Sequence, residues 1–175
     1  MTASLTGMTD AMAGLERLRA AAADGSLAGL CGSRGVRLLV VFGSAVDRAA
    51  VRPPRDLDVA FARSHRGDGP PVSVVTLMDD LLQVTRINDV DLLDLDRADP
   101  VAKAAALLFG QPVFQEEDGA FAVAQMAAFG EFHDTEWMRR HALERVLTLL
   151  VDSAVDIARA QYREYVRQVA SNLVP

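Results

Sequence analysis

Residues 36–42, VRLLVVF, form a short run of branched apolar side chains, interrupted by Arg37 and closed at both ends by glycine, Gly35 and Gly43. A short, β-branched apolar run bounded by glycines reads as a strand. The run predicts a central strand. The chain around it alternates between periods. Residues 8–23 place Met12, Leu15 and Leu18 at helical spacing, with Thr9 or Asp10 as N-cap, and Asp24-Gly25-Ser26 ends that helix. A short helical turn follows through 27–31, closed by Gly32 and Gly35.

After the strand, residues 44–50 predict a short helix, halted by Pro53-Pro54. Residues 56–61, DLDVAF, alternate strictly and predict a second strand, and 63–73 a loop. Residues 74–85 predict a helix with Val75, Met78, Leu82 and Val84 inward, and 89–95, DVDLLDL, a third strand. A helix over 101–109 ends at Gly110, and 112–115 predicts a short edge strand. From about Phe121 to Val169 there is no proline, and Gly130 is the expected breaker. Leu143, Leu147, Leu150, Ala154, Ala158, Tyr162, Tyr165 and Val169 fall on one stripe there, predicting one long helix or two in series.

This order predicts an α/β protein, a small mixed β-sheet core with flanking helices and a long C-terminal helical extension. The expected division is a core over 1–118 and an extension over 119–175 that packs on it or binds a partner. A stripe of that length needs a surface to cover it, and association with a protein, possible homo-oligomer included, is the expectation.

The net charge of −6 argues against direct DNA binding or adhesion to an anionic membrane, but not against a nucleotide held through metal ions on carboxylates. No stretch reaches the ~18–20 apolar residues of a membrane span, and no basic leader precedes an apolar run, so a cytoplasmic protein without membrane contact is expected. The single cysteine, Cys31, excludes an internal disulfide and a cysteine zinc site, and reads as a small buried hydrophobe. His133 and His141, eight residues apart, do not form an i,i+4 metal pair. With Phe129, Phe132 and Trp137 they read as helix-packing residues, and His65, Arg63 and Arg66 as solvated.

The chemistry concentrates after the central strand. Residues i and i+2 of a strand share a face, so Asp56 and Asp58 are expected to project together, with Leu57 and Val59 toward the core. Two adjacent carboxylates repel unless a cation or proton lies between them, and their hard oxygens suit Mg²⁺, which favours one or two carboxylates plus phosphate oxygens and water. Gly43 permits close backbone approach, and Ser44 opens a turn whose N–H groups and hydroxyl would accept a phosphate. Asp91 shares a face with Leu93 and Leu95 and is the favoured third acid, as ligand of a second metal or as proton acceptor, with Asp94 the alternative.

Gly-Ser, about a dozen residues, Asp-x-Asp, and a later acid on a neighbouring strand resemble the nucleotidyltransferase superfamily related to DNA polymerase β. The small size and N-terminal helix are similar to its minimal nucleotidyltransferase (MNT) branch, and the likeness covers roughly residues 15–115. The resemblance implies Mg²⁺-dependent transfer of a nucleotide from a triphosphate, often ATP, with release of pyrophosphate. It assigns phosphate contact to Gly43 and Ser44, metal ligation to Asp56 and Asp58, and the third acid, also a metal ligand, to Asp91. Where members often carry Ala-Arg-Gly, this chain has Ala45-Val46-Asp47-Arg48-Ala49, so Arg48 is the expected basic contact and Asp47 brings a negative charge beside the phosphate site.

Many MNT proteins are antitoxins of HEPN-family RNase toxins, and some attach AMP to a toxin tyrosine. The resemblance therefore implies an antitoxin that adenylylates a HEPN toxin. The alternatives are a non-catalytic antitoxin acting by contact and a small-molecule, aminoglycoside-type nucleotidyltransferase. Residues 141–160 weakly resemble a core helix of HEPN proteins, but the Arg-x4–6-His RNase motif does not follow.

Overall fold

The structure, a computed structural model, describes residues 9–47, 49–64 and 72–172, the last eight by backbone alone. Helix α1 (Asp10–Ala23) starts at Thr9, whose hydroxyl accepts the Met12 amide, and α2 (Ser26–Arg34) continues through Gly32. Strand β1 (Val36–Phe42) follows, then a single 3₁₀ turn, Gly43–Ala45. The helix expected over 44–50 is not formed. The Asp47 carboxylate instead accepts the Ala49 amide at 2.8 Å, a local bond that competes with helix.

Strand β2 (Leu57–Arg63) leads to α3 (Val74–Thr85), β3 (Val90–Asp94), α4 (Pro100–Phe109) and β4 (Gln111–Gln115). The sheet order is β3-β2-β1-β4. β1 lies antiparallel to β2 and β4, and β2 is parallel to β3, the pair that needs the crossover through α3. The sheet is therefore mixed, with β4 at an edge. Asp99 caps α4 by accepting the Val101 and Ala102 amides at 2.8 and 3.0 Å, and Pro100 occupies its first turn.

The central run is apolar on both faces because both faces are covered. Leu39, Val41, Leu57, Val59 and Phe61 pack with Leu15, Leu18, Leu27, Cys31, Leu77 and Leu81 of α1–α3. Leu38, Val40, Ala60 and Ala62 pack on the other side with Ala106 and Leu107 of α4 and Ala128 of the following helix. Each fully buried Leu here contributes about 1.5–3 kcal/mol. Burial pushes the Cys31 thiol up to about 12, so it is the inert hydrophobe expected. The inward face of α3 is Leu77, Leu81 and Thr85, at i, i+4 and i+8; Met78, Leu82 and Val84 flank it half-buried, and Val75 is exposed, contrary to expectation.

The remaining chain forms two helices in series, α5 (Ala120–Asp134) and α6 (Glu136–Asn172). Gly130, the expected breaker, lies within α5, and the break falls at Thr135. The chain divides into two compact units, residues 1–132 and 133–175. In the second, Leu143, Leu147 and Leu150 are more than half exposed, as are Leu149, Val151 and Ile157 on adjoining positions. Trp137 packs edge-on against His141, and Glu136 bonds Arg140 at 2.8 Å. The side chains of Tyr165 and Val169 lie outside the described residues. No helix among the described residues is long and apolar enough to cross a membrane.

Candidate functional site

β1 ends at Phe42, which pairs across the sheet with Asp58, so the register itself delivers Asp58 to the turn that follows β1. Gly43 adopts φ +70, in the left-handed region. A Cβ on Gly43 would lie 2.1 Å from Oδ2 and 2.9 Å from Cγ of Asp58. Glycine is thus required twice, by the backbone conformation and by the carboxylate against it.

The parallel pairing of β2 and β3 sets Asp58 opposite Asp91. Asp91 alternates with Leu93, which packs on the α4 side of the sheet beside Ala60 and Ala62, the face that Asp58 also takes. Asp56 lies just before β2 rather than in it, since the strand begins at Leu57, whose amide bonds the Asp89 carbonyl at 3.0 Å. Its charge still reaches Asp58. Burial, then the charges of Asp56 and Asp91, hold the Asp58 carboxyl above the usual carboxylate range. No ion pair or side-chain hydrogen bond compensates any of the three carboxylates among the described residues.

Asp94 is placed differently. It is bound by Arg63 and has Arg97 at 3.8 Å, and it accepts the Asp96 amide. Its carboxylate is neutralised at the far end of β3.

Two open cavities meet Ser44. One, of about 690 Å³, also takes in Phe42, Gly43, Ala105 and Phe109. The other, of about 470 Å³, brings Arg19 and Arg52 to the turn. Neither arginine stood out in the sequence, because Arg19 comes from α1 and Arg52 from an irregular segment. Arg19 is already held by Glu16 and by Gln111, each at 2.8 Å. Arg48 lies outside the described residues. Asp56 and Asp91 face a separate opening of about 400 Å³ together with Arg55 and Asp89. Within the 3₁₀ turn the Val46 and Asp47 amides bond the Gly43 carbonyl at 3.2 Å, while those of Ser44 and Ala45 have no partner within the turn itself.

Among the described residues, no three His, Cys, Asp or Glu side chains converge on a single metal position. The donor set nevertheless suits Mg²⁺, which is usually held by one or two carboxylates with phosphate oxygens and water completing the shell. Uncompensated carboxylates, with Asp56 and Asp91 raising the proton affinity of Asp58, are the electrostatic condition for such a cation.

No protein-family model matches the chain, and no curated protein sequence matches it. Solved structures do. A toxin–antitoxin structure with AMP-PNP aligns at 17% identity and a TM-score of 0.55, over 71% of this chain and 98% of the other. A tri-AMPylated Shewanella oneidensis HEPN toxin in complex with an MNT antitoxin aligns at 16% identity and 0.54, over 74% and 98%. A toxin–antitoxin structure of MntA–HepT aligns at 16% and 0.53, over 71% and 96%. What is shared at this identity is the fold, an α/β core. About a quarter of this chain extends beyond the aligned part.

Proposed function

We propose that this protein is an MNT-type nucleotidyltransferase, an antitoxin that transfers AMP from ATP to a tyrosine hydroxyl of a HEPN-type toxin. The observation that carries the reading is the seat of Asp58: a carboxylate packed where only glycine fits at position 43, opposite Asp91 and within the field of Asp56. The solved structures of the same fold, one with AMP-PNP and one with an AMPylated toxin, support the choice of nucleotide and partner.

Asp56 and Asp58 would hold Mg²⁺, which when bound offsets charge on the triphosphate and on the entering and leaving oxygens. The Gly43–Ala45 turn receives phosphate oxygens, with Arg52 beside it as well as Arg19, which Glu16 and Gln111 hold. Asp91, on the neighbouring strand and free of the arginine pairing that occupies Asp94, accepts the proton of the attacking hydroxyl. The hydroxyl oxygen bonds to the α-phosphorus, the bond from that phosphorus to the bridging oxygen breaks, and pyrophosphate leaves.

One observation favours a second reading, an antitoxin acting by contact. Asp47 stands on the phosphate turn, where its charge opposes a polyphosphate. Mass spectrometry of the HEPN-type partner after incubation with this protein, ATP and Mg²⁺ separates the two. Mass added in AMP increments by the wild type and not by Asp56→Asn/Asp58→Asn is the expected result. A stable complex with either version and no added mass would replace the enzyme by the contact antitoxin.

A further inference from the structure

The cavity of about 690 Å³ on one side of the Gly43–Ser44 turn carries a feature that phosphate binding does not use. Ala105 and Phe109 stand one helical turn apart on the same face of α4, and both line this cavity. Phe109 is 79% exposed, an unusual position for a phenylalanine at the rim of an otherwise well-packed unit. Its place is fixed from below. The next residue, Gly110, is packed so closely on Val40 and on the Ala106 carbonyl that a Cβ there would lie 2.7 and 2.0 Å from them. Ala106 and Leu107 are buried under the sheet, so the end of α4 is held and the phenyl ring stands out over the space left by the small Ala105. Phe42 adds a second, half-buried ring to the same lining.

The one charged residue in that lining is Asp47, which disfavours a polyphosphate inside the cavity and leaves it to an uncharged group. Volume and composition match a flat ring carried by a ligand whose phosphates sit on the adjoining turn. We propose that Phe109, over Ala105 and beside Phe42, is the stacking platform for the nucleobase of the triphosphate. Base–aromatic stacking needs only a π-face, so the platform supplies affinity for a nucleoside that the phosphate turn alone does not. This assignment rests on the nucleotidyltransferase reading of the same turn.

The test compares ATP with inorganic tripolyphosphate, each with Mg²⁺, by calorimetry on the full chain. Phe109→Ala is expected to weaken ATP about tenfold and leave tripolyphosphate unchanged, while Phe109→Tyr retains ATP. Ala105→Leu, which fills the space beside the ring, is expected to weaken ATP in the same way. Because both side chains are exposed, neither change should move the thermal midpoint. If Phe109→Ala binds ATP as the wild type does, the platform falls and the phosphate site stands. If transfer is lost with ATP affinity intact, the ring serves the acceptor, and the nucleobase assignment is overturned. Failure of the wild type to bind either ligand would remove the nucleotide reading and the platform with it.

Discussion

Gly43→Ala probes the contact on which the site is built. The added methyl meets two penalties of different origin. The backbone at φ +70 costs an L-residue about 1–2 kcal/mol. The Cβ would also lie 2.1 Å from Asp58 Oδ2 and 2.9 Å from Cγ, which forces the carboxylate off its rotamer or shifts the turn, for about 1–2 kcal/mol more. The total is about 2–4 kcal/mol, or roughly 5–12 °C in thermal midpoint for a chain of this size.

The two penalties separate in a double-mutant cycle. Asp58→Ala removes Oδ2 and Cγ and keeps Cβ, which is 3.4 Å from the new methyl, an ordinary contact. The pair Gly43→Ala/Asp58→Ala should therefore retain the backbone strain and lose the clash, giving a coupling of about 1–2 kcal/mol in urea unfolding. Additivity within about 0.3 kcal/mol would refute the claim that the turn and the carboxylate are seated against each other. The single Gly43→Ala change should also reduce AMP transfer about a hundredfold, as expected for a displacement near 1 Å.

Other outcomes are equally specific. Asp58→Asn should stabilise the metal-free protein near neutral pH, since burial and the charges of Asp56 and Asp91 hold the native carboxyl above its ordinary value of 3.8. The sign follows from that raised value: Asp58 costs nothing while protonated at acid pH, and the penalty grows as pH rises through its folded pKa. The midpoint difference between Asp58→Asn and wild type, measured by calorimetry, should therefore vanish toward pH 3. Gly110→Ala, pressed on Val40 and two backbone carbonyls, should cost about 1–3 kcal/mol by chemical denaturation although its φ is ordinary. Asp99→Ala should cost about 1 kcal/mol by the same method through the two amides it uncaps. Leu143→Glu with Leu150→Glu should leave the midpoint of the first unit within about 1 °C, because both side chains are more than half exposed in the second.

How much of this was legible in the sequence depends on what kind of information each feature needs. Strand β1 and helix α3 were read to the residue because glycines, caps and apolar runs are local signals. The inward face of α3 was not, since Val75, Leu77, Met78 and Leu81 are all apolar and only the position of the sheet decides among them. The short helix after Gly43 failed for a local reason of the opposite kind: Asp47 turned back on the Ala49 amide, which a count of helix formers does not weigh. Asp91 is favoured over Asp94 in the sequence only by the leucines that share its face. Register gives each its partner, putting one opposite Asp58 and the other against Arg63.

The register that places these acids also makes the site costly to stability. β1 and β2 each bury five of their seven side chains, and that burial sets the register with little freedom to slip. A rigid register can hold Asp58 beside Asp91, and close to Asp56, although none of them gains a compensating cation from the described chain. A looser sheet would relax by moving the carboxylates apart. The covered core thus holds an electrostatic arrangement that is unfavourable by itself and that a bound cation would offset. Mg²⁺ should accordingly raise the thermal midpoint of the wild type and leave Asp56→Asn/Asp58→Asn unchanged, a difference readable without any partner protein or nucleotide. Equal shifts in both proteins would mean that the three acids are only a strained corner of the sheet.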